Sequence, residues 1–387
     1  MIIEIRKAGF RNKGAELMLL AIIARLRAAY PDATLTMTPS APKGSEPFAK
    51  LTALGIYPKA SLTRFGIEWG DVATLIPRRL RQRYGLVLDR DVDVVIDAAG
   101  FAYSDQWGDR PAKELARATR RWRRRGTKVI LLPQAFGPFT DPVIRAAIEQ
   151  AVDNADLVMP RDSISYRYLT EVTGERDNIR QFPDFTNLVD GVVPDEFEAK
   201  KVGVAIVPNH RMIDKTDDVA SGQYLPFMIR CARRLHELNA RPYVLVHEGA
   251  DDERLAEQIS SASGDIPIVR EDDPLRIKGI LGASDAVVAS RYHALVSALC
   301  QGVPAVATGW SHKYTELFED YGFAEGVLSV DDDWARTNLM LEKLVDVEAS
   351  KAVSAQILQQ SARLKKLSED MWAAVLSVID GRPKGIQ

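Results

Sequence analysis

The sequence lacks several features that would assign a chain to a class at once. Of its 387 residues only Cys231 and Cys300 are cysteines, too few for a disulfide framework, and both stand in apolar helical patterns typical of buried thiols. The five histidines do not show the spacing of a helical metal-binding pair, so neither a metal nor another cofactor is expected. The Gly-x-Ser-x-Gly turn of serine hydrolases is also absent.

The charge balance and the lack of long apolar runs exclude two further classes. With 51 basic and 53 acidic residues the formal net charge is −2, so the chain has no global basic field of the kind that nucleic-acid binders show. No run approaches the ~20 apolar residues that span a bilayer. The apolar start of the chain is too short for a signal peptide. We therefore expect a cytoplasmic protein that reaches a membrane only by docking on its surface.

Strand-like and helix-like segments alternate along the whole chain. Short β-branched runs such as 92–98 and 286–289 predict buried strands, and the apolar spacing of 15–30 predicts a helix. This alternation is typical of a mostly parallel sheet covered by helices, and it repeats after a Pro- and acid-containing connector at 190–200. A helical tail, broken near its middle, is expected to pack back on the first domain. The predicted division is an N-terminal domain, a C-terminal domain and this tail: 1–190, 200–345 and 346–387.

The turn 290–293 is the strongest candidate for a ligand-binding site, because parallel α/β folds bind ligands beyond the carboxyl ends of their strands. Arg291 is a permanent cation that can hold a carboxylate or phosphate with two hydrogen bonds. His293 can change its charge near neutral pH. At the start of a helix, these residues predict an anion site with a proton donor. The alternative is that Arg291 forms a surface ion pair and His293 caps the helix.

Further candidates in the second half follow other predicted strands. Lys313 can neutralise a phosphate and His312 is a second candidate acid, or both belong to an exposed polar loop anchored by Trp310. Arg211 and His247, each close to the end of a predicted strand, are weaker candidates.

The first half offers candidates with equally strong structural alternatives. Asn12 and Gly14 precede the first helix in a turn that either cradles an anion or is a plain tight turn. Asp105 follows a buried strand and can accept a proton from a sugar hydroxyl, or cap a helix. Arg161 is a candidate for the edge of a cleft, whereas Asp162 beside it can simply cap the next helix.

Two basic stretches, 78–83 and 117–125, stand out from the otherwise balanced charge. The second lies on a predicted helix and carries Trp122. A basic patch with an interfacial aromatic residue suits an anionic membrane surface. The alternative is a solvated helix face, and nucleic-acid binding has no other support.

Taken in their order and spacing, these motifs resemble the polysaccharide pyruvyl transferase family. The resemblance implies two Rossmann-like domains that face a central cleft, as in glycosyltransferases of the B type. It also implies that Arg291 and His293 contact phosphoenolpyruvate, with Arg161, Lys313 and Asp105 as further cleft residues. The segments that carry the resemblance are 12–16, 131–138, 161–163, 183–184, 290–294, 301–304 and 310–314.

Family members move the enolpyruvyl unit of phosphoenolpyruvate onto two hydroxyls of one sugar and form a cyclic ketal. The resemblance implies an acceptor sugar in a surface polysaccharide or its lipid-linked precursor, bound by the first domain, with the donor on the second. His293 is the expected acid and Asp105 the acceptor of the sugar proton, without a metal. Two alternatives stay open: a glycosyltransferase or sugar-nucleotide epimerase of the same fold, and a non-catalytic assembly protein of a polysaccharide-export complex.

Overall fold

The computed structural model forms two compact units. The first unit combines Met1–Phe10, Met18–Pro183 and Asp370–Gln387, and the second combines Arg11–Leu17 and Asp184–Glu369. The end of the connector expected at 190–200 and Trp310 lie outside the residues that the structure describes. The described residues are 1–10, 12–39, 46–61, 63–64, 67–197, 203–214, 216–309 and 311–381.

Unit 1 is built on a parallel sheet. Its strands are β1 Ile2–Arg6, β2 Thr34–Met37, β3 Tyr57–Ala60, β4 Thr63–Arg64, β5 Ile67–Glu68, β6 Val87–Leu88, β7 Val94–Asp97, β8 Lys128–Gln134 and β9 Leu157–Pro160. Seven of them form the sheet in the order β6-β3-β2-β1-β7-β8-β9, while β4 and β5 form a separate antiparallel pair. All four residues of β7 are buried, as expected for a parallel strand that is covered on both faces.

The helices of unit 1 are α1 Lys13–Ala29, whose first residues up to Leu17 are part of unit 2, and α2 Glu46–Ala53, α3 Arg78–Arg83, α4 Asp109–Arg125, α5 Pro142–Asp153 and α6 Ser163–Thr173. Gly126 ends α4 in the left-handed conformation that glycine adopts at little cost. Asp141 caps α5, and Asp162 caps α6 through a hydrogen bond of 2.7 Å from the Ser165 amide. Asp162 therefore has the capping role that the sequence offered as an alternative.

Unit 2 has a second parallel sheet. Its strands are β10 Val204–Val207, β11 Tyr243–Val246, β12 Ile268–Arg270, β13 Ala286–Ala289, β14 Ala305–Thr308 and β15 Val327–Leu328. The order is β12-β11-β10-β13-β14-β15. Strands β11 and β12 are therefore added on one side of β10, and strands β13 to β15 are added on its other side. The boundary between β10 and β13 is the topological switch point, where such sheets bind ligands.

The helices of unit 2 are α7 Arg211–Asp214, α8 Asp218–Glu237, α9 Gly249–Ala262, α10 Pro274–Gly282, α11 Tyr292–Leu299, α12 Lys313–Asp320, α13 Trp334–Val345 and α14 Val347–Ile379. Cys231 and Cys300 are free and buried in the core of this unit, as predicted. Among the described residues, no helix is both long and apolar enough to cross a bilayer.

The expected break in the tail is wrong. Helix α14 runs through 33 residues without interruption, because the segment contains neither glycine nor proline and its buried positions recur at helical spacing. Its end, from Asp370 onward, is part of unit 1, as predicted. The Tyr30 hydroxyl donates to Asp380 at 2.7 Å, and Lys128 Nζ donates to the carbonyls of Val378 and Ile379.

Strand β8 runs through Pro133 to Gln134. A register irregularity between Leu131 and Gln134 accommodates the proline, which has no N–H for the ladder. Strands β4 and β5 were not predicted, because two-residue strands carry no measurable periodicity.

Candidate functional site

The candidate site of unit 2 lies where neighbouring parallel strands end. Asn209 follows β10, His247 follows β11, and the pair Ser290 and Arg291 follows β13. Because β11, β10 and β13 are adjacent and parallel, these residues meet at one edge of the sheet. That edge includes the switch point between β10 and β13.

The backbone at Ser290 is fixed by a buried polar network. Its carbonyl accepts hydrogen bonds from Asn209 Nδ2 at 2.8 Å and from the Tyr314 hydroxyl at 2.9 Å. Its hydroxyl accepts from the Tyr224 hydroxyl at 2.9 Å and lies 2.6 Å from Thr308 Oγ1. A satisfied buried network of this kind holds the following residues in one conformation.

Arg291 is held by two carboxylates. Its Nε and Nη2 donate to both oxygens of Asp252, at 2.9 and 2.6 Å, and its Nη1 donates to Glu248. Although burial opposes the charge, the carboxylates of Asp252 and Glu248 raise the pKa of Arg291 above its usual range. Burial likewise raises the pKa of Asp252, against the lowering effect of Arg291. Arg291 is thus in an ion pair, but a buried one, and not at the surface.

Asp252 and Glu248 differ in accessibility. The Asp252 side chain is 0% exposed, whereas that of Glu248 is 23% exposed. Glu248 Oε2 also accepts a hydrogen bond of 2.9 Å from Asn12 Nδ2. The Oδ1 atom of Asn12 accepts from the amides of Gly14 and Ala15, which caps the start of α1. Asp252 is therefore the anchor of Arg291, and Glu248 is the partner that a ligand can reach.

His293 packs between Gly14 and Asp184. Its Nε2 is buried, lies 3.5 Å from Asp184 Oδ2, and has no hydrogen-bond partner in the described part of the chain. Asp184 is fixed through Oδ1, which accepts from the amide of Thr186 at 3.0 Å and from its hydroxyl at 2.6 Å. The structure therefore places an acid–base group next to a carboxylate that can orient it.

Lys278 fixes the turn that carries Asp184. The Lys278 side chain is fully buried on α10, and its Nζ donates a 2.7 Å hydrogen bond to the carbonyl of Thr186. The Lys278 carbonyl in turn accepts from Gln301 Nε2 at 2.9 Å. The short helical turn Phe185–Leu188 is therefore tied to the body of unit 2, which keeps Asp184 in place beside His293.

His247 is a second buried imidazole at this sheet edge. Burial, and then the positive charges of Arg291, His293 and Lys13, hold the pKa of His247 well below its usual range. Its Nδ1 makes no hydrogen bond to any residue that the structure describes. The ring is therefore neutral at physiological pH, with one nitrogen as donor and the other as acceptor.

Lys313 reaches the same aromatic cluster as His293. Its Nζ lies 5.6 Å from the ring centre of Tyr292 and 5.3 Å from that of Tyr314. The Tyr292 ring is in turn 5.4 Å from the His293 ring. Lys313 begins α12, and His312 stands directly before it and is half-buried. The structure thus brings Lys313 to the neighbourhood of His293.

The other predicted residues have local partners. Arg211 begins α7, is exposed and pairs with Asp214. Asp105 Oδ2 accepts from the amide and the hydroxyl of Thr140, both at 2.7 Å, in the loop before α5, whereas the cap of that helix is Asp141. Arg161 directly follows β9 in unit 1 and is buried. The catalytic and binding roles of Asp105, Arg161 and Arg211 stay predictions.

The structure corrects the picture of Trp122 as an aromatic residue at a membrane interface. Trp122 is 1% exposed and lies in the core of unit 1. Two arginines of its helix are also engaged, since Arg121 and Arg125 contact Asp89 at 3.1 and 2.6 Å. The aromatic residue faces inward because Leu115, Ala118 and Trp122 share one face of α4.

Asp252 and Glu248 are not among the residues that the sequence pattern predicts for the site. Both come shortly after strand β11, at the same sheet edge as Arg291, so the strand order would have pointed to them. Among the described residues, no group of three or more His, Cys, Asp or Glu side chains is placed to hold a metal ion.

Comparison with solved structures shows the fold to which the chain belongs. HepE from Anabaena in complex with UDP and glucose is 13% identical, with 97% of this chain and 99% of that chain covered and a TM-score of 0.59. UDP-GlcNAc 2-epimerase from Neisseria meningitidis bound to UDP-GlcNAc is 9% identical, with 97% and 100% covered and a TM-score of 0.57. MnaA of S. aureus with UDP is 12% identical, with 98% and 96% covered and a TM-score of 0.61. The chain therefore has two Rossmann-like domains and a glycosyltransferase-B-like fold, as predicted.

The family follows from the sequence itself. A model of the polysaccharide pyruvyl transferase family matches residues 12–312, and the chain belongs to that family. Membership supports a transferase that acts in polysaccharide pyruvylation, and it confirms the resemblance drawn from the motifs. No curated protein matches the chain.

Proposed function

We propose that this chain transfers the pyruvate unit of phosphoenolpyruvate onto two hydroxyls of one sugar, in a surface polysaccharide or its lipid-linked precursor. The observation that carries this proposal is the buried Nε2 of His293, which has no hydrogen-bond partner among the described residues and lies 3.5 Å from Asp184. An acid is what the chemistry requires, because the methylene carbon of phosphoenolpyruvate must gain a proton. The site also lies at the switch point of a parallel sheet, close to Arg291 and Lys313.

Donor binding requires fixed cations for a carboxylate and a phosphate. We propose that Arg291 binds one of these two anionic groups. The ligand then replaces Glu248 as a partner of Arg291, while Asp252 keeps the guanidinium group in place. Lys313 is the proposed second cation, and Arg161, Arg211 and His312 are further proposed contacts. In this scheme Asn12 holds Glu248 and caps α1, and Gly14 leaves the space that the His293 ring occupies.

The proposed reaction balances without a redox step. His293 donates a proton to the methylene carbon, and the first sugar hydroxyl attacks the carbon that bears the phosphate. The bond from that carbon to the phosphate oxygen then breaks, and the second hydroxyl attacks to close the ketal. Of the two hydroxyl protons, one returns to the acid and the other leaves with phosphate. A positive field on the leaving phosphate contributes several kcal/mol.

We assign the donor to unit 2 and the acceptor sugar to unit 1, where Asp105 is the proposed acceptor of a sugar proton. To accept that proton, Asp105 must replace its hydrogen bonds from Thr140 by a hydrogen bond from the sugar hydroxyl. An Asp105→Asn variant keeps these two bonds but loses the base. A fall in turnover with unchanged stability supports the catalytic role, whereas unchanged turnover leaves Asp105 with a structural role in holding Thr140.

The direct test is transfer of carbon label from phosphoenolpyruvate into the lipid-linked saccharides of the cell that makes the chain. We expect acid-labile label in the saccharide fraction with the native chain, and none with His293→Ala. An Asp184→Asn variant should transfer label more slowly while binding the donor normally. Transfer from a UDP-sugar instead, with none from phosphoenolpyruvate, would establish the glycosyltransferase alternative.

A further inference from the structure

Residues 72–84 of unit 1 expose apolar side chains that a folded domain usually covers. Leu75 is 82% exposed and Tyr84 is 73% exposed. Val72, Ile76 and Leu80 are exposed as well, so five large apolar side chains face solvent within thirteen residues. Contiguous exposed apolar groups of this kind mark interaction sites. These side chains form the 72–84 surface.

The same segment is strongly basic. It contains four arginines and no aspartate or glutamate. Arg81 is buried and donates to the Ile76 carbonyl at 3.2 Å and to Asp91 at 3.0 Å, which pins the segment to the body of the unit. Arg78, Arg79 and Arg83 are exposed, and within the described ranges no ion pair involves them. The 72–84 surface therefore presents apolar groups together with unneutralised positive charge.

The second basic stretch borders the same turn. Arg81 of α3 contacts Asp91, while Arg121 and Arg125 of α4 contact Asp89, two residues away. The ends of both basic helices therefore meet at the turn Asp89–Asp91. Three of the exposed arginines of α4 are spaced three and four residues apart and so share one helix face: Arg117, Arg120 and Arg124.

We propose that the 72–84 surface docks this chain on an anionic lipid bilayer. Apolar side chains between arginines fit such a surface, because the apolar groups enter the headgroup boundary while the guanidinium groups meet lipid phosphates. A second copy of the chain fits less well, since a two-fold interface would place the same arginines against each other. Docking relies on this surface and not on Trp122, which is buried.

Vesicle sedimentation of the full chain tests the proposal. We expect binding to vesicles of phosphatidylcholine mixed with phosphatidylglycerol, and little binding to phosphatidylcholine alone or at high salt. A Leu75→Ser, Leu80→Ser variant should bind at least about tenfold more weakly, because two leucines no longer enter the bilayer. Leu339→Ser is the control, since Leu339 is 67% exposed, between Leu75 and Leu80, but lies in unit 2, and it should bind like the native chain.

Several outcomes would overturn the proposal. These are absence of native binding to the anionic vesicles, equal binding by the double variant, or binding to nucleic acid alone. A dimer that the double variant loses, without vesicle binding, would instead assign the surface to a second copy. Circular dichroism of the variants shows that they fold. The readout is vesicle binding, so this proposal and the proposed reaction can fail independently.

Discussion

Gly14 and His293 are packed so closely that residue 14 has no space for a side chain. A Cβ atom at position 14 would lie 2.2 Å from His293 Nδ1 and 2.5 Å from its Cγ. Real Cβ atoms do not approach other atoms this closely, so any larger residue must displace the ring. The start of α1 therefore determines the position of the proposed catalytic imidazole.

A Gly14→Ala substitution should lower turnover by about 100-fold, because small displacements of a catalytic group have effects of that size. Overpacking should also cost about 1–3 kcal/mol of stability. Steady-state kinetics and urea unfolding measure the two effects. Gly9→Ala is the matched control, since a Cβ there meets no atom within 4 Å. Equal turnover of Gly14→Ala and Gly9→Ala would remove His293 from the reaction.

A Glu248→Gln substitution should strengthen phosphoenolpyruvate binding by up to about tenfold. Glu248 competes with the donor for Arg291, and an amide competes less well than a carboxylate. Calorimetric titration measures the dissociation constant. Glu253→Gln, on helix α9 directly after Glu248 and paired with Arg270, is the control and should bind like the native chain. Weaker donor binding by Glu248→Gln would mean that Glu248 contacts the ligand in another way.

A neutral buried His247 should make the fold sensitive to acid. Below pH ~6.5 the unfolded chain binds a proton at residue 247 that the folded chain does not. Stability should therefore fall with pH from about 6.5 downward, by at most about 1.4 kcal/mol per pH unit.

Replacement of His247 by Gln removes this contribution. Urea unfolding of His247→Gln at pH ~6.5 and ~5.5 should show a smaller loss of stability than the native chain shows. His236→Gln, at an exposed position, is the control and should keep the native dependence. Identical pH dependence of all three chains would show that His247 is protonated in the folded state.

Removal of the charge of Asp89 should destabilise the fold of unit 1. Burial opposes its charge, but Lys59 at 3.0 Å and then Arg121 hold the pKa of Asp89 below its usual value. An Asp89→Asn variant leaves these cations with one carboxylate fewer in a buried place. Its free energy of unfolding should therefore be lower than that of the native chain by about 3 kcal/mol. The exposed pair of Asp285 and Arg241 is the control, where Asp285→Asn should cost less than about 1 kcal/mol. Thermal and urea unfolding compare the two.

The fold could be predicted from the sequence where local pattern decides it. The strand 286–289 has the predicted bounds, because a short apolar run between helical segments admits few other structures. The contact of Arg291 with Asp252 could not be predicted, since it depends on the order of strands across the switch point. Local pattern indicates which residues follow strands, and only strand order shows which of them meet.

Trp122 shows a second limit of what can be predicted from the sequence. Composition places it in a basic stretch, whereas helical periodicity places it on the apolar face of α4. The apolar face determined its position, because burying a large aromatic side chain contributes more than its placement beside arginines at the surface.

Thermal unfolding with added ligand shows whether phosphoenolpyruvate binds at the turn of Arg291 and His293. Phosphoenolpyruvate should raise the melting temperature of the native chain and of His293→Ala, whose lost role is chemical. It should not raise the melting temperature of Arg291→Ala. A rise with UDP but none with phosphoenolpyruvate, in the native chain, would exclude donor binding at this turn and favour a nucleotide-sugar enzyme.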